Sequence, residues 1–239
     1  MTQLSLTERG AFLALVLSLA GGAAQAAGLT LEAVKRAPAA VVGADGAALK
    51  DVRIVREWEG AICSSRVVNG GATPARVREV VLFEVPHDYP PETRLYGEGF
   101  TMLSQTAGTL GKPADLGLTD RKHYRIPQPT DATTVYGLLT LSPPGGEHLA
   151  LAFASCRRFV GRFHVRPKSI QAVVDTEGLT LAPGESWKLE KIQFGSGKDR
   201  NALLAALAER IRLNHPPLRL PTVPTGWCSW YCFGARVKA

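Results

Sequence analysis

The chain has 239 residues, 45% of them hydrophobic, which is enough apolar material to bury a sizeable core and excludes disorder as its main state. Its formal net charge of +7 comes from 28 basic and 21 acidic residues scattered along the sequence. No run of Lys and Arg could follow a phosphate backbone, so no nucleic-acid partner is expected.

The first 26 residues read as a secretory signal peptide. Arg9 lies in the n-region, an apolar stretch runs from Ala11 to Ala20, and Ala24-Gln25-Ala26 supplies the small-x-small pattern of a cleavage site. The mature chain is therefore expected to start near Ala27 and to be periplasmic or secreted. The apolar stretch is much shorter than the ~20 residues a bilayer span needs, and no cysteine follows the cleavage site for lipid anchoring. No membrane attachment is expected after cleavage.

Residues 27–195 are expected to form a β-sandwich domain, because from about Val52 to Phe194 short β-type runs alternate with Gly, Pro, Asn and Asp breakers. The clearest runs are Val77 to Val85, Thr133 to Leu141, His148 to Ser155, Phe159 to Val165, Ile170 to Asp175 and Ser186 to Phe194. In the last run Trp187 and Leu189 share one parity and Ile192 and Phe194 the other, which predicts a bulge near Glu190 or Lys191. Cys63 and Cys156 could pair or be buried singly. The stretch Gly195-Ser196-Gly197-Lys198 is not a phosphate-binding loop, because Ile192 stands where the first glycine belongs and Asp199 follows the lysine.

Residues 196–224 are expected to be a linker. A helix from about Arg200 to Leu213 is capped by Asp199 and carries an apolar stripe of Leu203, Leu204, Leu207 and Ile211. Arg210 and Arg212 suit the negative end of its dipole. Pro216-Pro217 forbids its continuation and starts an extended connector. Cys228 and Cys232 fit neither a CxxC redox motif nor half of a common zinc site, and the five histidines include no His-x-x-x-His pair. No metal and no cofactor are expected.

After the connector, two of the four tryptophans fall within Thr225-Gly226-Trp227-Cys228-Ser229-Trp230-Tyr231. This Gly-Trp-x-Ser-Trp segment resembles the start of the catalytic barrel in the α-galactosidases of glycoside hydrolase family 36. Tyr96-Gly97-Glu98-Gly99-Phe100 with Leu103-Ser104-Gln105, Tyr124-Arg125-Ile126-Pro127 and Leu181-Ala182-Pro183-Gly184-Glu185-Ser186 resemble the β-sandwich that precedes that barrel. The resemblance implies an all-β chain: a large antiparallel sandwich, one linker helix, and residues 225–239 as the first strand of an incomplete (β/α)8 barrel. It also implies a parent protein that is a retaining glycosidase acting on α-galactosides. A full-length parent of this kind can be a homo-oligomer whose sandwich lends loop residues to a neighbouring active site.

Within the resembled motif the second tryptophan contacts the sugar, so Trp230 is the candidate substrate-binding residue. Barrel active sites lie at the C-terminal ends of the strands, and an indole there can stack on a pyranose face while its N–H stays free to donate. Trp227 is expected to pack within the barrel. Many such α-galactosidases carry Asn where this chain has Cys228 and an acidic residue where it has Tyr231. The cysteine resembles instead the related raffinose-synthase-like galactosyltransferases. A retaining glycosidase needs two carboxyl groups ~5 Å apart, which in the resembled family are aspartates on later barrel strands. Glu98, Asp175 and Glu177 are read as solvated residues of the sandwich, so no catalytic residue is assigned and the chain alone is expected to be inactive. A barrel-facing surface left in water is expected to make it self-associate. A third class of protein, a non-catalytic secreted sandwich that binds carbohydrate, fits the same sequence.

Overall fold

The computed structural model describes residues 28–100, 104–117, 128–217, 219, 222–223, 225–236 and 238. The expected signal peptide and Tyr124-Arg125-Ile126-Pro127 lie outside the described residues, as does Leu103.

The chain opens with a short helix, α1 (Leu31–Arg36), and then lays down strands β1 (Ala40–Gly43), β2 (Val52–Glu59), β3 (Ile62–Asn69) and β4 (Ala75–Pro86). A smaller antiparallel set follows: β5 (Arg94–Glu98), β6 (Ser104–Thr109) and β7 (Lys112–Gly117). The second half supplies β8 (Thr133–Ser142), β9 (His148–Phe153), β10 (Val160–Val165), β11 (Ser169–Leu181), β12 (Ser186–Lys188) and β13 (Ile192–Gly197). Helix α2 (Arg200–Asn214) and a single helical turn, α3 (Trp230–Phe233), close the chain.

The strands join in the order β1-β4-β11-β10-β8-β9-β13-β3-β12, with β2 beside β3 and β5 beside both β8 and β6. Every pairing is antiparallel. The fold is all-β, as expected.

Strand β8 makes the sheet double back. Its first half, Thr133 to Tyr136, pairs with β10, and its second half, Leu138 to Leu141, pairs with β9. Between the halves Gly137 has φ 64°, a backbone conformation glycine adopts without a Cβ penalty. The two halves thereby enclose one apolar cluster. Phe83, Phe163 and Ile170 come to it from one side, and Leu139, Leu149, Leu151 and Ile192 from the other.

The bulge expected near Glu190 or Lys191 is present. Lys188 pairs with Arg66 and Ile192 with Cys63, so the three residues 189–191 stand opposite only Ser64 and Ser65. The extra residue reverses parity, which lets Trp187 and Ile192 both face the core.

Helix α2 starts where Asp199 accepts from the N–H groups of Asn201 and Ala202 at 2.8 and 3.1 Å, which satisfies two donors that a helix N-terminus leaves unpaired. It packs on β9 and β13 with Leu207 against Ala152, Ala154 and Leu138. Only part of the expected stripe is covered, because Ile211 is 40% exposed. Cys63 is buried and Cys156 exposed, and both are free thiols. Burial pushes the Cys63 thiol up to about 11.

Candidate functional site

Within residues 225–239, expected as the first strand of a barrel, Thr225 to Ser229 has no strand conformation. Ser229 instead starts the α3 turn, its carbonyl accepting from the N–H groups of Cys232 and Phe233 at 3.2 and 2.9 Å. A β-strand is held by hydrogen bonds to a neighbour, and among the described residues none pairs with this segment. Trp230 is 65% exposed, and Trp227 and Tyr231 are more exposed still. Trp227, expected to pack within a barrel, has no packing partner among the described residues. Trp230 presents its indole to solvent at the start of a turn and lines none of the described cavities.

The acidic residues weighed as catalytic substitutes separate into two kinds. Glu98 and Glu177 are exposed. Asp175 is not a solvated turn residue: it lies within β11, half-buried, with its carboxylate 3.1 Å from the Arg162 guanidinium. Glu79, from β4, meets the same Arg162 nitrogen at 2.6 Å. The two carboxylates thus flank a buried cation that pairs with both.

The Arg162 cluster belongs to a polar seam along one face of β4, β11, β10 and β8. Two residues on, buried His164 has Nδ1 3.1 Å from the Thr134 hydroxyl, while its Nε2 is buried without a protein hydrogen-bond partner. Burial, joined by the charges of Arg162 and Arg166 and opposed by Asp131, depresses its pKa to about 4. Arg166 extends the seam to Asp131 at 2.8 Å and to Gln171 at 2.9 Å, and Gln171 donates to Glu84 at 2.9 Å. Sequence reading missed this seam because its members come from strands far apart in the chain. The visible sign was the alternation of Arg162, His164 and Arg166 inside a run otherwise typical of a buried strand.

A second polar cluster forms at the bulge. The Glu190 carboxylate, turned inward, accepts from the Ser155 hydroxyl at 2.5 Å and from the N–H groups of Arg158 and Phe159 at 2.9 and 3.1 Å. Burial alone would raise its pKa, but these bonds together outweigh burial and hold the carboxyl below its ordinary value. Among the described residues no group of three or more His, Cys, Asp or Glu side chains could hold a metal ion.

No family model and no curated protein matches the sequence. Several solved structures are similar in part, and they are α-galactosidases. The enzyme from Lactobacillus brevis matches 72% of this chain at 8% identity, with a TM-score of 0.41. The enzyme from Thermus thermophilus, in complex with p-nitrophenyl α-D-galactopyranoside, matches 84% at 19% identity and a TM-score of 0.37. A family 36 enzyme from Geobacillus stearothermophilus, in complex with raffinose, matches 69% at 11% identity and a TM-score of 0.39. The chain spans 31%, 36% and 30% of these three structures, about a third of each.

Proposed function

We propose that this chain is an N-terminal portion of an exported, α-galactosidase-like retaining glycoside hydrolase acting on α-galactosides, and that it is inactive alone. The observation that carries the reading is the Gly226-Trp227-Cys228-Ser229-Trp230 motif, placed directly after a proline-rich connector. In this reading Trp230 supplies a sugar-stacking indole at the rim of a barrel, and its exposure leaves the ring free for that contact. In this reading Glu79 and Asp175, both paired with Arg162, are structural. The parent's two carboxyl groups would come from later barrel strands.

The test is to sequence the gene beyond the codon for Ala239. An open frame through a barrel, with aspartates at two later strand ends, is the expected result. A stop codon directly after Ala239 would sink the enzyme reading.

A second reading, a secreted sandwich that binds carbohydrate without chemistry, is favoured by one observation: the main apolar cluster closes without any residue beyond Phe194. Retention of the mature chain on an α-galactoside column, lost in Trp230→Ala, would select it.

A further inference from the structure

The excess of positive charge, scattered in sequence, is focused by the fold at the bulge. A cavity of about 430 Å³ opens there, lined by Ser155, Trp187, Glu190 and Asn214 together with four cations, Arg157, Arg158, Lys188 and Lys191. We propose that this cavity is a binding site for an oxyanion group, a carboxylate or sulfate carried by a small ligand such as a sugar acid.

The donors outnumber the acceptors. Arg157 gives one N–H to the Asn214 carbonyl, and the Lys191 ammonium gives one to the Asn214 side-chain oxygen at 3.1 Å. Two like charges are thus drawn onto one residue, with four N–H groups left on Arg157 and two on Lys191. Asn214 contributes only neutral dipoles, so it brings the two cations together without neutralising either. The Arg158 guanidinium carbon sits 4.8 and 5.0 Å from the ring centroids of Phe159 and Trp187. A cation–π contact of this kind uses no hydrogen-bond donor.

Among the described residues no carboxylate lies within ion-pair distance of any of the four. Glu190 is saturated by Ser155, Arg158 and Phe159 backbone and hydroxyl donors. Glu185, nearby, accepts from the Ala182 N–H and the Trp187 indole, each at 2.8 Å. An anion entering the cavity meets four cations against Glu190 in the lining and Glu185 beside it, a net charge of +2, on walls fixed by the bulge and by the end of α2. Its volume exceeds what a bare inorganic anion fills.

This site stands on charge geometry and does not depend on the α-galactoside reading. The mature chain is titrated with sodium sulfate, with galacturonate, and with galactose as the neutral control. Ionic strength is held constant with sodium chloride, and the heat of binding is followed. Saturable binding of galacturonate, absent for galactose, is expected; saturation by sulfate alone would assign the site to free oxyanions. Lys191→Gln and the exposed-side Lys188→Glu should each weaken binding at least tenfold, the second without disturbing any contact that holds the fold. A response no different from that of chloride, or affinity unchanged in Lys188→Glu, would overturn the proposal.

Discussion

A Cβ at Gly161 would sit 2.3 to 2.4 Å from three ring carbons of Phe153, which lies across the β10 backbone with its ring centroid 5.2 Å from that of Phe163. The ring has nowhere to go, because Phe153 is itself buried. Gly161→Ala should therefore destabilise the fold by about 3 kcal/mol through overpacking, read from the urea midpoint, and Phe153→Leu in the same chain should recover part of the loss. His164 gives a second prediction at this scale. Its folded pKa of about 4 lies below the unfolded value of 6.5, so between these pH values the unfolded chain binds the extra proton. Stability is complete above pH 6.5 and is lost as pH falls toward 4, by about 2 kcal/mol between pH 7 and 5. Buried His87, also depressed by burial, acts in the same direction, so the diagnostic quantity is a difference between chains. The urea midpoint of His164→Gln should fall less between pH 7 and 5 than that of the parent, and identical falls would refute the assignment.

At the scale of elements, the breakers did most of the work of making strands legible. Pro86 ends β4, the Ser142 to Gly146 segment turns β8 into β9, and Pro167 separates β10 from β11. Parity alone located the bulge. The ends were harder: β11 runs on to Leu181, through Glu177 at φ 56° and Gly178 at φ 74°, where sequence suggested a stop at Asp175. Strands β2 and β3, dense in Arg, Glu and Ser, carry no strong apolar alternation; β2 is held by the ladder of β3, and β3 by β2 on one side and β12 and β13 on the other. The polar seam was illegible for a related reason, since Arg162 and Glu79 meet only after β4, β11 and β10 have been placed side by side. Helix α2 was legible from its cap, but its anchorage was not. Buried Asn214 donates to the Ala154 carbonyl at 2.9 Å and receives Lys191 and Arg157, pinning the helix end to β9. Asn214→Ala leaves that carbonyl unpaired, at a cost of about 1–3 kcal/mol. Amide exchange should quicken through the last two turns of α2 while β9 and β13 keep their protection. Uniform acceleration across the sheet would show that the helix is not a separate unit.

For the molecule as a whole, apolar exposure is unevenly distributed. Among the described residues, seven of the twelve exposed large hydrophobic side chains lie between Ile211 and Phe233, on the open side of α2 and on the aromatic segment, and the other five are spread over the β domain. Contiguous apolar surface beyond a few hundred Å² marks a contact face, and the exposed aromatics of the segment, Trp227, Trp230, Tyr231 and Phe233, are the candidates to form one. Opposing association is the net charge of +7, which keeps copies apart through repulsion that salt screens within ~8 Å at physiological ionic strength. The two effects give a signed expectation. The mature chain should self-associate with rising concentration, and added salt should strengthen the association, since it weakens the repulsion and leaves the apolar attraction. Replacing Trp227, Trp230, Tyr231 and Phe233 together by Ser should abolish it without lowering the melting temperature, because none of the four is buried. Sedimentation or light scattering over a concentration series at low and high salt decides the matter. A monomer throughout would refute the contact face, and association that weakens with salt would move it from the aromatic segment to the charged surface.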